Sequence, residues 1–235
     1  VIKSQPRLSI IVPVLNEAEN LASFLQHLQP FREQDCELIV VDGGSCDTTR
    51  AIAEPLSDRL LTGVSGRAWQ MNSGAEVAQG EYLLFLHADT YINLLPFLAL
   101  LSSRQPLWGF FKVRLSGEGW VLRMVEGLMN WRSQLTHVAT GDQGIFVRRT
   151  IFTWRPFPDY PLMEDVAYSK TLRQYGNPMV IDTPVITSSR RWEQNGAMKT
   201  IFLMWWLRLA YFLGVAPRVL HRWYYHDTAD DTGYR

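Results

Sequence analysis

Four short runs along residues 8–86 carry apolar residues at consecutive positions: Leu8–Val14, 37–42, Arg59–Thr62 and 83–86. A strand that is apolar on both sides, not at alternate residues, must be covered on both faces. Between these runs the apolar residues recur at helical spacing, as at Leu21, Phe24, Leu25 and Leu28. Strand and helix therefore alternate, β-α-β-α-β-α-β, which requires a parallel sheet with right-handed crossovers. In such sheets ligands bind in the crevice beyond the carboxyl ends of the strands.

What stands at those ends matters most. The run 83–86 leads into His87-Ala88-Asp89-Thr90, and an extended chain there would point His87 and Asp89 to one side. An imidazole and a carboxylate so placed either hold a divalent cation or cap the turn that follows. The first run ends in Pro13-Val14-Leu15-Asn16-Glu17, where Asn16 is expected to cap a helix with Glu19 as its capping-box partner. Pro30 should stop that helix. The second run ends at Asp42, before the turn Gly43-Gly44-Ser45-Cys46-Asp47, in which Ser45 or Asp47 can cap the next helix. Gly63 and Gly66 frame a loop into a helix over 67–78. Beyond Thr90 the alternation degrades into a strand at Trp108–Leu115, a helix over 120–131 and a glycine-bearing loop and strand over 140–147. A helix from Asp165 to about Gly176 follows, then two short strands at 180–181 and 185–186.

Composition removes several classes. With 23 basic and 23 acidic residues in 235, the chain lacks the basic excess of a nucleic-acid binder. Cys36 and Cys46 have no zinc-site spacing and read as free thiols of a reducing, cytoplasmic compartment. Residues 1–7 have no signal core. The first turn carries no G-x-G-x-x-G and no Walker sequence is present, which excludes dinucleotide and P-loop readings. A basic stretch over 190–222 (Arg190, Arg191, Lys199, Arg208, Arg218, Arg222) suits a phosphate, an anionic membrane surface or simply solvent. Residues 200–217 carry Arg208 as their only charge, near the minimum length for a span. Peripheral contact with the inner face of a membrane, a homo-oligomer contact through 198–217, or burial are the better fits.

Five patterns in order carry a resemblance: Ile11-Val12-Pro13-Val14-Leu15-Asn16-Glu17; Val41-Asp42-Gly43-Gly44-Ser45; Gly66-Arg67-Ala68 with Asn72, Gly74 and Gly80; His87-Ala88-Asp89; and Gly141-Asp142-Gln143-Gly144 with Glu164-Asp165. Over residues 8–192 the chain resembles the inverting family-two glycosyltransferases of GT-A fold, and in its His-Ala-Asp element a small bacterial branch of them. The resemblance implies an α/β, GT-A-like architecture: a mostly parallel nucleotide-binding sheet flanked by helices, a smaller acceptor-side half and a C-terminal apolar helix. It divides the chain into one domain over 1–192 (nucleotide-binding half 8–92, acceptor half 93–192) and a helical extension and tail over 193–235.

The resemblance also implies roles. Pro13, Asn16, Glu17, Asp42, Gly43, Arg67, Asn72, His87, Ala88 and Asp89 would bind a UDP- or GDP-type donor. Gly141, Asp142, Glu164 and Trp192 would meet the sugar or acceptor. Asp165 would be the catalytic base, and Asp89 with His87 would hold Mn2+ or Mg2+. The family more often has Asp at position 87, and a neutral imidazole is a softer ligand that brings Mn2+ into play. The function expected is inverting transfer of a sugar from a nucleotide diphosphate to a hydroxyl acceptor, with no nucleic acid involved. Its rivals are a silent nucleotide-sugar binding module and a polyprenyl-phosphate sugar synthase at a membrane surface.

Overall fold

The computed structural model describes residues 5–63, 65–189 and 197–227. The described strands form one sheet in the order β3-β2-β1-β4-β7-β6-β8-β5. Its first part is parallel and follows the sequence: β1 (Leu8–Val14), β2 (Cys36–Asp42), β3 (Arg59–Thr62) and β4 (Tyr82–Phe85). These are joined by α1 (Ala18–Arg32), α2 (Thr49–Leu56) and α3 (Arg67–Val77). Side chains alternate across the sheet. Ile10, Leu38, Val40 and Leu84 pack with Leu21, Phe24, Leu25 and Leu28 of α1. Ile11, Ile39, Val41, Leu83 and Phe85 pack with Ala68, Met71 and Ala75 of α3 on the other face. Gly74 lets α3 lie close: a Cβ there would stand 2.6 Å from Ile11 Cγ2.

The second part is mixed. α4 (Leu95–Arg104) leads from β5 (Thr90–Tyr91) to β6 (Trp108–Leu115), and α5 (Trp120–Thr136) to a 3-10 turn at Gly141–Gln143 and β7 (Ile145–Arg148). β7 runs antiparallel to both β4 and β6. α6 (Arg149–Trp154) and α7 (Glu164–Leu172) precede β8 (Met179–Thr187), which is parallel to β6. α8 (Ala197–Phe212) and α9 (Pro217–Asp227) fold back on each other, burying Leu207, Ala210, Leu220 and Tyr224 with Val138, Met163 and Val166.

Four expectations are corrected. Asn16 does not cap α1: it adopts φ 53°, and the helix starts at Ala18 with no side-chain cap from its own flank. Asp47 of the neighbouring loop supplies the acceptor instead, its carboxylate receiving Ala18 N–H at 3.2 Å and Thr49 N–H at 2.9 Å. α1 continues through Pro30 to Arg32, because Phe31 of its last turn is packed in the core. The two short strands at 180–181 and 185–186 are one strand, β8, interrupted by a register shift opposite Phe111 and Val113. The apolar run 200–217 is divided between two helices, and no helix among the described residues is long and apolar enough to cross a membrane. The tail residues Asp230 and Asp231 lie outside the described residues.

Candidate active site

The crevice opens where the β1–β4 ladder stops. Pairing ends at Ile11 with Phe85, closed by Leu86 N–H to Ile11 O at 3.1 Å. Two residues further along β1 the same edge presents Pro13, whose ring nitrogen has no hydrogen to offer a ladder. β4 has already turned away there. This is also the point where the strand order reverses direction, between the β1-β2-β3 series and β4, so the topology places a ligand site here. Pro13, Arg67, Phe85, His87, Gly141, Phe157, Glu164 and Asp165 are among the residues that line the cleft. Its enclosed volume is about 10 Å³. That holds about one water, so anything larger would have to lie across the mouth.

One rim is made by the loops after β1 and β2, laced together by short-range hydrogen bonds. Asn16 N–H donates to Ser45 Oγ at 2.8 Å, and Asn16 Oδ1 accepts from Cys46 N–H at 3.0 Å. Glu17 N–H donates to Thr49 Oγ1 at 2.8 Å. Asp42 is fully buried, and its carboxylate accepts the N–H groups of Gly44 and Ser45 and the Ser45 hydroxyl. Its oxygens shape the turn rather than face the crevice. Gly43 N–H closes onto Val14 O at 2.9 Å. Gln70 is a component the sequence reading missed: it reaches from α3 under both strand ends, donating to Val14 O at 2.9 Å and Val41 O at 2.8 Å. Asn72 likewise holds the wall, both ends of its amide bonded to the Phe157 backbone at 2.9 and 3.0 Å.

The opposite rim brings distant residues together. β4 ends at Phe85, so His87 and Asp89 sit in a turn closed by Thr90 N–H to His87 O at 3.1 Å, not on an extended strand. The His87 ring lies against Gly141, where a Cβ would stand 2.3 Å from Nε2. Gly141 N–H donates to Asp165 Oδ2 at 2.7 Å, and Val166 N–H to Oδ1 at 2.7 Å. Ala88 is buried beside them. Burial, and then the charge of Asp142, push the Asp89 carboxyl up from its ordinary value. Glu164 is buried, with Arg67 Nη1 at 3.7 Å from Oε1. Burial and the adjacent Asp165 push its carboxyl up to about 7.

Two arginines on α5 and α8 feel the acids of the site. Burial lowers the guanidinium of Arg132 on α5 to about 10, with Arg208 pushing in the same direction. Burial also lowers Arg208 on α8, and both feel the opposing charges of Asp165 and Asp142. Arg208 belongs to the basic stretch over 190–222, whereas no local pattern marks Arg132. Arg190, Arg191 and Trp192 lie outside the described residues. Among the described residues no group of three or more His, Cys, Asp or Glu side chains is gathered as a metal cage.

The family described as Glycosyl transferase family 2 matches residues 9–96. The chain is 30% identical over 192 residues to a PGL/p-HBAD biosynthesis glycosyltransferase of Mycobacterium bovis, covering 75% of this chain and 72% of that protein. Among solved structures it resembles S. aureus TarS 1-349 in complex with UDP-GlcNAc (TM-score 0.61, 24% identity, 77% of this chain and 58% of that one). It also resembles the mannosyltransferase PcManGT from Pyrobaculum calidifontis in complex with GDP-Man and Mn2+ (TM-score 0.59, 21% identity, 79% and 57%). The chain thus spans less than two thirds of either structural relative, and these likenesses establish the α/β fold with its mostly parallel, helix-flanked sheet.

Proposed function

Because the chain belongs to glycosyl transferase family 2 and is a glycosyltransferase, we propose that it transfers one sugar, with inversion, from a UDP- or GDP-type nucleotide-diphosphate donor to an acceptor hydroxyl. The observation that carries this reading is the seat of Asp165. Its carboxylate stands in the first turn of α7 at the crevice, oriented by the N–H groups of Gly141 and Val166. Inversion needs a base on the face opposite the leaving group, and in this reading Asp165 takes the acceptor's proton. Glu164, whose proton stays on to about neutral pH, keeps a second full charge from crowding it.

The nucleoside end lies against the laced rim of Pro13, Asn16, Glu17 and the 42–47 turn, with Arg67 across from it. The residues present fit a divalent cation in one respect: Asp89 and Asp142 are close enough for one to disfavour ionisation of the other, a repulsion that a cation relieves. Asp89 and His87 would hold it, and the remaining ligands would be phosphate oxygens and water. Bound there, Mn2+ or Mg2+ offsets charge on the departing diphosphate. Residues 8–92 form the donor half, 93–192 the acceptor half and 193–235 an extension in this reading.

Asp165→Asn tests it. Turnover, followed as nucleotide diphosphate released from UDP- and GDP-sugars in the presence of hydroxyl acceptors, should fall by about 10²–10⁴-fold. Calorimetric affinity for the nucleotide diphosphate with Mn2+ should stay within about twofold, since the base does not touch the donor's phosphates. Normal turnover by the variant refutes the assignment.

A further inference from the structure

We propose that the α8–α9 hairpin is a docking face for an anionic bilayer surface, with the outward side of α8 seated among the lipids and Lys170, Arg218 and Arg222 at the level of the headgroups. The inference goes beyond the transfer reaction and does not depend on it.

The composition of α8 sets the problem. Over residues 200–212 Arg208 is the one charge. A helix that is apolar on all sides belongs inside a core or against lipid. On one side α8 has its core: Leu207 and Ala210 pack with Met163 and Val166 next to α7, and with Leu220 and Tyr224 of α9. The other side is bare. Phe202, Trp205, Trp206, Leu209 and Phe212 are each more than half exposed, as is Leu213 just past the helix end. At 3.6 residues per turn these six fall within an arc of about 120°, and Thr200, Arg208 and Tyr211 lie outside it. An exposed apolar face this continuous marks a contact surface. Tryptophan and phenylalanine are what a helix lying in the membrane–water boundary presents to it.

The charges around that face decide the occupant. The chain as a whole balances 23 basic with 23 acidic residues, yet no Asp or Glu occurs from Ala197 to His226. α9 turns Leu220 and Tyr224 inward, and it exposes Arg218 and Arg222, one turn apart, with Trp223 at the flank. Lys170 reaches over from α7, its Nζ 4.3 Å from the ring centroid of Phe212. Among the described residues none of these three cations closes an ion pair. Uncompensated cations beside a bare aromatic face complement an anionic lipid surface. A second copy fits less well. Pairing the same face about a two-fold axis brings the arginines of both copies to one interface, with no acid between Ala197 and His226 to meet them.

The hairpin lies along the surface and does not cross it. Its inner side is fixed to the domain, and no helix among the described residues is long and apolar enough to span a bilayer. Met163 and Val166, on which α8 packs, bracket Glu164 and Asp165. Docking therefore holds that turn about 10 Å, one helix diameter, from the lipid.

The test is co-sedimentation of the full chain with phosphatidylcholine vesicles and with mixed phosphatidylcholine–phosphatidylglycerol vesicles. The wild type should bind the mixed vesicles, more strongly than the neutral ones, and raised salt should weaken that binding. Trp205→Gln combined with Leu209→Gln should weaken it about tenfold or more. Arg218→Gln combined with Arg222→Gln should weaken binding to the mixed vesicles about tenfold and leave binding to the neutral ones unchanged. All four side chains are exposed, so melting temperatures should match the wild type. Failure of the wild type to bind the mixed vesicles overturns the proposal, as does equal binding to both kinds or wild-type binding by either variant. Light scattering of the free protein covers the other occupant: a dimer that the Trp205→Gln, Leu209→Gln variant dissociates would give the face to a second copy and overturn the proposal too.

Discussion

Glu164→Gln isolates the cost of keeping an acid beside the base. In the unfolded chain this carboxyl ionises near 4.5, and in the native protein at about 7, because it is 3% exposed and adjoins Asp165. Between those values the native state holds a proton that the unfolded chain has released, so stability from this group falls as pH rises. It is fully present below about 4.5, declines through the window and is level above about 7. At about 1.4 kcal/mol per pH unit, the gap amounts to roughly 3 kcal/mol. Glutamine keeps the shape and cannot ionise, so the variant escapes the decline. Urea denaturation of both proteins from pH 4.5 to 8.5 should show the variant gaining about 2–3 kcal/mol on the wild type, all of it inside the window. A difference between the two that does not change with pH would refute the argument.

Two further substitutions probe the walls. Gly141→Ala has no dihedral objection to meet, since Gly141 is absent from the positive-φ residues, but its Cβ would collide with the His87 ring. It should cost about 1–3 kcal/mol in stability and weaken Mn2+-dependent nucleotide binding; in a His87→Ala background the same change should cost little, as thermal melts and calorimetry would show. Gln70→Leu strips the donor from Val14 O and Val41 O. Val14 O keeps the Gly43 N–H, so the loss falls on Val41 O, and the variant should lose about 1–3 kcal/mol in urea melts.

The parallel half was legible because its strands carry consecutive apolar residues and are local in sequence, and its helices show their spacing without help from the rest of the fold. Capping was less so. Asn16 has the right chemistry for an N-cap, yet Asp47, thirty-one residues on, takes that place because the two loops lie side by side. Pro30 and the polar 182–184 segment look like stops, but buried neighbours carry α1 and β8 through them. Pro13, Arg67, His87, Gly141, Glu164 and Asp165 do converge on one cleft. Asp42 and Asn72 turn out to brace it. Arg132 was invisible, since a lone arginine in an amphipathic helix has no signature, while Arg208 was seen only as one of a basic stretch and the packing of α8 against α7 gives it an address.

The pairing of β4 with β7 has one more implication. Tyr82–Phe85 and Ile145–Arg148 are both buried strands, and a slide of two residues would still set apolar against apolar over most of the ladder. Such a slide would carry Gly141 about 7 Å from His87, parting the imidazole from the turn that holds Asp165. The bolt against it is at the far end of the ladder. Arg148 stands opposite Tyr82, donating to its hydroxyl at 3.1 Å, with its guanidinium 5.5 Å from the ring centroid and 3.5 Å from Glu81. Together with the pairing of β7 to β6 and the backbone bonds of Arg148 and Arg149 to Leu107 O and Glu81 O, this contact on the side of the sheet remote from the chemistry favours the one alignment in which Gly141 meets His87.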